Sequence, residues 1–280
     1  MSGKGTAIDS IKEIASKNIN IEQGDYIGED GLLFCGKCNT RKQGRYEMPW
    51  GVVTPPCLCK CEKEKRDMEQ QENQLYMQRA FFRNECFGRD FQRMSEWNFA
   101  VDDGSNQAIS NVAKNYVDNF GTMKADGEGL LFFGEVGTGK SFFAACIANA
   151  LIDLCIPVRM TNFASIRNEL QEDFSRRKKY IQFLVSYPLL ILDDLSAESK
   201  SDYMSEIVFD IIDSRCRSGL PLIVTTNLTA DEMKNTTDIK NQRIYSRLFE
   251  MCIPIEVKGR DHRRDRLKEA HTKYKEILGY

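Results

Sequence analysis

Eight consecutive residues, Gly134-Glu135-Val136-Gly137-Thr138-Gly139-Lys140-Ser141, stand between an apolar run at 130–133 and an apolar helix-like segment that begins at Lys140. The glycines let the backbone curl until successive N–H groups face one point, and the helix N-terminus that follows favours negative charge there. Strand, G-x-x-x-x-G-K-S and helix, in that order, is an arrangement that cradles phosphates. Lys140 is then placed to reach the β- and γ-phosphates and the Ser141 hydroxyl to meet Mg²⁺, with Phe142 next along the helix. An ordinary glycine-rich turn would need neither the lysine nor the hydroxyl.

Around this loop the hydropathy pattern alternates. An amphipathic helix is expected from Asn106, with Gly121 as its stop, because Ile109, Val112, Ala113, Tyr116 and Val117 recur at helical spacing. Strand-like runs follow at 130–133, 158–160, 189–192, 222–226 and 253–257. Helical stretches stand between them: one from Lys140, one ending near Phe174, one from about Tyr203 and one around Gln242. A charged helix closes the chain. Strands alternating with helices predict an α/β fold in which a parallel sheet lies between helices.

Two strand ends carry polar groups. The run 189–192 ends in Asp193-Asp194, which would put a Mg²⁺-binding carboxylate, Asp193, at the carboxyl edge of the sheet and beside it a candidate base for water, Asp194. The run 222–226 ends in Asn227, a neutral amide able to bond the attacking water or the γ-phosphate; the other reading makes Asn227, or Thr229, a cap for the next segment.

Taken together, the loop, Asp193-Asp194, Thr225-Thr226-Asn227 and Arg243-Ile244-Tyr245-Ser246-Arg247-Leu248 resemble AAA+ ATPases of the DnaA/DnaC/DnaI group, and 134–150 resembles its helicase-loader and IstB branch. The resemblance covers roughly 91–275. It implies an AAA+ P-loop NTPase core that binds ATP or ADP. It also implies that Arg247 is an arginine finger offered to a neighbouring subunit's γ-phosphate, with Arg243 supporting that interface. Arg263 resembles the sensor arginine that touches nucleotide in the same chain, with Arg260 and Arg264 as neighbouring alternatives. Many AAA+ enzymes have Asp-Glu where this chain has Asp193-Asp194, and the shorter acid implies slow hydrolysis.

Five of the ten cysteines crowd near the N-terminus: Cys35, Cys38, Cys57, Cys59 and Cys61. Cys35-Gly36-Lys37-Cys38 is a knuckle that can turn two thiolates toward one tetrahedral ion, and the C-x-C-x-C run offers the second pair. Both histidines, His262 and His271, lie in the C-terminal region, so four of these five thiols are expected to hold Zn²⁺; free buried cysteines or an iron–sulfur cluster are the alternatives. The five single cysteines read as small buried apolar residues. After Cys61, the charged stretch 62–79 reads as an exposed helix or helical linker. The expected division is therefore a small zinc-binding module with its linker at 1–88 and the ATPase domain at 89–280.

A net charge of −2 gives no global basic footprint, so any nucleic-acid contact must be local. Arg176-Arg177-Lys178-Lys179, flanked by Phe174 and Tyr180, is a candidate for single-stranded DNA. No apolar run approaches the roughly 18 residues of a membrane span, and the start Met1-Ser2-Gly3-Lys4 is not that of a signal peptide, which gives a cytoplasmic expectation. By resemblance the partners are a replicative DnaB-type helicase, single-stranded DNA and further copies of the chain. The competing readings are a transposition helper of the IstB type and a zinc-dependent adaptor that holds ATP as a structural ligand.

Overall fold

Glycine at position 129 lets two strands approach closely: a Cβ there would lie 1.8 Å from the carbonyl oxygen of Leu222. That contact belongs to a five-stranded sheet in a computed structural model, which describes residues 21–171, 177–195 and 202–279. The chain forms two compact units, divided between Tyr76 and Met77.

The first unit holds two small antiparallel pairs, β1 (Tyr26–Ile27) with β2 (Leu33–Phe34) and β3 (Tyr46–Met48) with β4 (Gly51–Val53). Helix α1, Lys60–Phe87, then runs on across the division and buries only Cys86 and Phe87. The charged composition of 62–79 explains that exposure, and the helix is longer at both ends than the sequence suggested.

In the second unit the elements are α2 (Gln107–Asp118), α3 (Phe120–Asp126), β5 (Gly129–Phe133), α4 (Lys140–Asp153), β6 (Val158–Asn162), α5 (Phe163–Gln171) and α6 (Arg177–Val185). There follow β7 (Leu189–Asp193), α7 (Asp202–Ser218), β8 (Leu222–Thr225), α8 (Ala230–Lys234), α9 (Ile239–Met251), β9 (Cys252–Glu256) and α10 (His262–Leu278). The strand order is β6-β7-β8-β5-β9 and every pairing is parallel. The α/β expectation holds, with every expected strand found within one or two residues.

The sheet is covered on both faces. Leu130, Phe132, Leu189 and Ile191 pack toward α2 and α4, while Leu131, Leu190 and Leu192 pack toward α7 and α9 through Ile207, Ile211 and Leu248. The period of two along each strand separates these layers. Asn106 caps α2 through its side chain, as the polar residue before the apolar repeat predicts. Gly121 does not stop that helix; it lies inside α3, and the chain breaks at Asn119, whose side-chain amide donates to the Asn115 carbonyl.

Arg215 on α7 is fully buried, and among the described residues its partners are backbone carbonyls. Its guanidinium donates to the carbonyls of Val185, Tyr187, Pro188 and Pro221 and so ties together the approaches to β7 and β8. Burial lowers its pKa to about 10. Of the single cysteines, Cys86, Cys146 and Cys252 are buried as expected, while Cys155 and Cys216 are only partly so.

Candidate nucleotide site and cysteine cluster

The carboxyl edge of the sheet carries the polar residues. Val257 N donates to the Phe133 carbonyl at 2.8 Å and Thr226 N to that of Phe132 at 2.9 Å, which pins the start of the glycine loop between β8 and β9. Within the loop, Lys140 is buried and its ammonium donates to the carbonyls of Gly134 at 2.8 Å and Glu135 at 2.6 Å. Burial lowers the Lys140 pKa, against the pull of Asp194 and Asp193. The Thr138 hydroxyl closes on the Glu135 carbonyl. Val136 is half exposed at the loop's outer turn. Gly137 has φ +83°, and a Cβ there would lie 2.0 Å from Asp261 Oδ1, so the segment 259–262 presses against the loop. The His262 N–H completes this contact on the Gly137 carbonyl at 3.0 Å.

Asp193 and Asp194 differ in environment. Asp193 is buried and accepts from the Thr225 hydroxyl at 2.7 Å; burial raises its pKa, while the bonds from Thr225 and Ser141 lower it. Asp194 is exposed, and its backbone N–H donates to the same Thr225 oxygen at 2.9 Å. Its φ of +56° lies in the left-handed region, unusual for a residue with a side chain. Asn227 Nδ2 donates to Asp194 Oδ1 at 3.1 Å. The cap reading of Asn227 gives way to Thr229, which forms a capping box with Glu232 at the start of α8.

A cleft of about 420 Å³ joins these groups. Its polar side is lined by Lys140, Ser141, Asp193, Asp194, Thr225 and Asn227, and Arg260 and Arg263 reach it from the start of α10. Arg260 is paired with Asp103 at 2.6 Å, whereas Arg264 is strongly exposed and paired with Asp261 at 3.4 Å, outside the lining. The positive charge of Arg263 lowers the pKa of both Lys140 and Asp193, as a lesser cause beside burial. The volume suits a nucleotide. The donors, the hydroxyl and the two carboxylates suit its phosphates and a Mg²⁺ ion.

Arg243 and Arg247 do not line this cleft. Arg247 pairs with Glu250 at 2.7 Å and Asp213 at 3.3 Å, and Arg243 lies 4.1 Å from the centre of the Phe209 ring. The cleft also has an apolar lining that went unread in the sequence: Met94, Trp97 and Val101 join Phe142 there. These residues lie in a 3₁₀ turn (Gln92–Glu96) and the chain just after it, with no periodicity to mark them. The link from Asp103 and Ser105 to His262, at 3.5 and 3.3 Å, is likewise visible only in three dimensions.

In the first unit, Sγ atoms of Cys35, Cys38, Cys59 and Cys61 lie within 4.8 Å of one another. Cys35–Cys61 and Cys59–Cys61 are 3.6 and 3.3 Å apart. Tetrahedral Zn–S bonds of about 2.3 Å put sulfurs about 3.8 Å apart, so the four fit one zinc ion. Cys57 is outside the group; it is exposed, with its thiol 3.6 Å from the Arg41 carbonyl. Gly36 allows the knuckle to close, since a Cβ there would meet the Gly24 carbonyl at 2.0 Å. Hydrogen bonds from the Thr40 hydroxyl and the Cys61 backbone lower the Cys38 thiol to about 5, and burial raises that of Cys59.

A family model described as IstB-like ATP binding protein matches residues 56–270. The chain is 24% identical over 217 residues to the replicative helicase loader DnaI of Bacillus subtilis (strain 168), covering 72% of this chain and 67% of that protein. It is 28% identical over 186 residues to the replicative helicase loader DnaC of Escherichia coli (strain K12), covering 65% and 73% respectively. A crystal structure of the DnaC helicase loader shares the fold at TM-score 0.51 and 24% identity, over 60% of this chain and 99% of that one. With the phosphate loop, the acidic strand end and the strand order in place, the chain belongs to the IstB-like ATP-binding protein family, related to the DnaI and DnaC loaders, and its second unit is an AAA+ ATPase domain.

Proposed function

We propose that this protein is an ATP-regulated loader that docks on a replicative hexameric helicase of the DnaB type in the cytoplasm and helps deposit it on single-stranded DNA. The observation that carries this reading is the pairing of an AAA+ unit related to DnaI and DnaC with a separate unit built on four clustered cysteines. Zinc held by Cys35, Cys38, Cys59 and Cys61 would fix that unit. Its β3–β4 hairpin leaves Tyr46, Trp50 and Val52 exposed, as a docking surface requires.

In the ATPase unit, Lys140 and the loop N–H groups hold the β- and γ-phosphates, and Ser141 and Asp193 hold Mg²⁺. Asp194, aimed by Asn227, accepts a proton from the attacking water. Turnover is slow, in keeping with the short Asp194 side chain. Arg247, outside its own cleft, serves the cleft of a neighbouring copy, and Arg243 supports that contact. Single-stranded DNA meets α6, where Lys178 and Lys179 are exposed beside Phe183, itself 42% exposed and in contact with Tyr187 and Arg159. Arg177 pairs with Asp210 at 2.6 Å, and Phe174 and Arg176 lie outside the described residues.

The test is co-purification with the host's replicative helicase, with and without ATP, comparing wild type with Lys140→Ala and Cys35→Ser. A stoichiometric complex weakened by the cysteine change is expected, with the lysine change removing nucleotide control. No complex under any nucleotide condition would sink the loader reading. The family match favours as second reading an IstB-type transposition helper, for which a transposase replaces the helicase and duplex DNA the single strand.

Thr225→Val tests the metal end. The swap keeps the shape of the side chain but leaves the buried Asp193 carboxyl without its 2.7 Å donor. Losing a hydrogen bond to a charged group costs about 1.5–3 kcal/mol. The Mg²⁺ concentration giving half-maximal hydrolysis should rise on the order of tenfold, since about 1.4 kcal/mol is a factor of ten. An unchanged Mg²⁺ requirement would count against Asp193 as the metal-side residue.

A further inference from the structure

Asn149, on α4, is buried and lies outside the eight-residue phosphate loop. Its amide nitrogen donates to three carbonyls: Trp97 at 2.8 Å, Met94 at 3.0 Å and Ala145, one helical turn back, at 3.1 Å. Its oxygen accepts from Arg83 Nε at 3.0 Å, and Arg83 also holds Asp153 at 2.7 Å. An arginine can only donate, so Arg83 fixes which end of the carboxamide faces it and leaves the NH₂ toward Met94 and Trp97. Those two residues line the same cleft as the phosphate-loop side chains, and with Val101 and Phe142 they give it its apolar lining.

We propose that Asn149, oriented by Arg83, is a positioning residue that sets the base-side wall of the nucleotide cleft. The inference rests on the ATP-binding reading of that cleft. The helix that begins in the phosphate loop thereby also holds the wall at the other end of the ligand. The Met94 carbonyl, in the 3₁₀ turn, also accepts from the Trp97 N–H at 3.1 Å, so Asn149 adds a second donor there and, through the Trp97 carbonyl, holds the residue just after the turn. Trp97 in turn packs on Phe142 with ring centres 5.9 Å apart, which passes the placement on to the cleft surface.

The substitution that separates the two ends of the amide is Asn149→Asp. A carboxylate keeps the bond from Arg83 but cannot donate, and it faces the Met94 and Trp97 carbonyls with like charge. The full chain is titrated with ATP and, separately, with inorganic triphosphate, which engages only the phosphate end. In Asn149→Asp, ATP affinity is expected to fall about tenfold with triphosphate affinity within about twofold of wild type. Arg83→Gln, at a partly exposed position, should weaken ATP about threefold with the same split, and it decides the matter alone if Asn149→Asp does not fold. Unchanged ATP affinity, or an equal loss for both ligands, overturns the proposal. Wild type that binds neither ligand, or Lys140→Ala binding both as tightly as wild type, sinks the ATP reading instead.

Discussion

Asp194→Asn should lower the rate of ATP hydrolysis at saturation by two orders of magnitude or more while ATP affinity stays within about threefold, because a positioned general base contributes about 10²–10⁴-fold. The replacement is nearly isosteric. Asparagine tolerates the left-handed backbone that Asp194 adopts at φ +56°, so the turn after β7 survives the change. The Asp194 backbone bond to Thr225 is also independent of the side chain. What disappears is the carboxylate that takes the water's proton. Phosphate release at saturating ATP, set beside equilibrium ATP binding, measures the split; turnover at the wild-type rate would remove Asp194 from the chemistry. Asn227→Ala should show a smaller loss, since the carboxylate remains but its 3.1 Å tether does not.

Removing one ligand of the cysteine cluster should have the largest effect on folding. Two-stranded pairs are marginal alone, and the sheets of the first unit among the described residues are two such pairs. Structural zinc sites supply about 10–16 kcal/mol of apparent folding free energy. Wild type should therefore carry one zinc per chain. Cys59→Ser, at a buried position, should lose it and make the first unit sensitive to protease, whereas Cys57→Ser should keep both zinc and resistance. Metal analysis with limited proteolysis distinguishes the two. Zinc-free wild type, or equal loss in the two variants, would refute the assignment.

The sequence was most informative where chemistry imposes spacing. Gly134 to Ser141, the Asp193-Asp194 strand end and the knuckle at Cys35 and Cys38 were all legible, because each needs fixed residue types at fixed intervals. The alternation of strands and helices was legible for the same reason. What escaped was set by chain crossings. Met94 and Trp97 meet Asn149 from 55 and 52 residues away in the chain. Asp103 meets Arg260 across 157 residues. Nor does the C-x-C-x-C run itself say that Cys57 points elsewhere: an extended segment would put all three thiols on one face, but the helix starting at Lys60 turns Cys61 onto Cys59 and Cys35. Gly121 failed as a stop because a single glycine within a helix costs only about 1 kcal/mol.

The strand order also bears on how the protein is made. The phosphate-loop strand β5 sits between β8 and β9, so both of its neighbours are synthesised about 90 to 125 residues after it. During translation the loop emerges long before the backbone that pins it, and a chain halted short of residue 252 contains every residue from Gly134 to Ser141 without the β9 partner that fixes their curve. The four clustered cysteines, by contrast, are all present once residue 61 has left the ribosome. Maturation is thus ordered in time, with the cysteine unit able to form during synthesis and nucleotide capture among the last properties the nascent chain acquires.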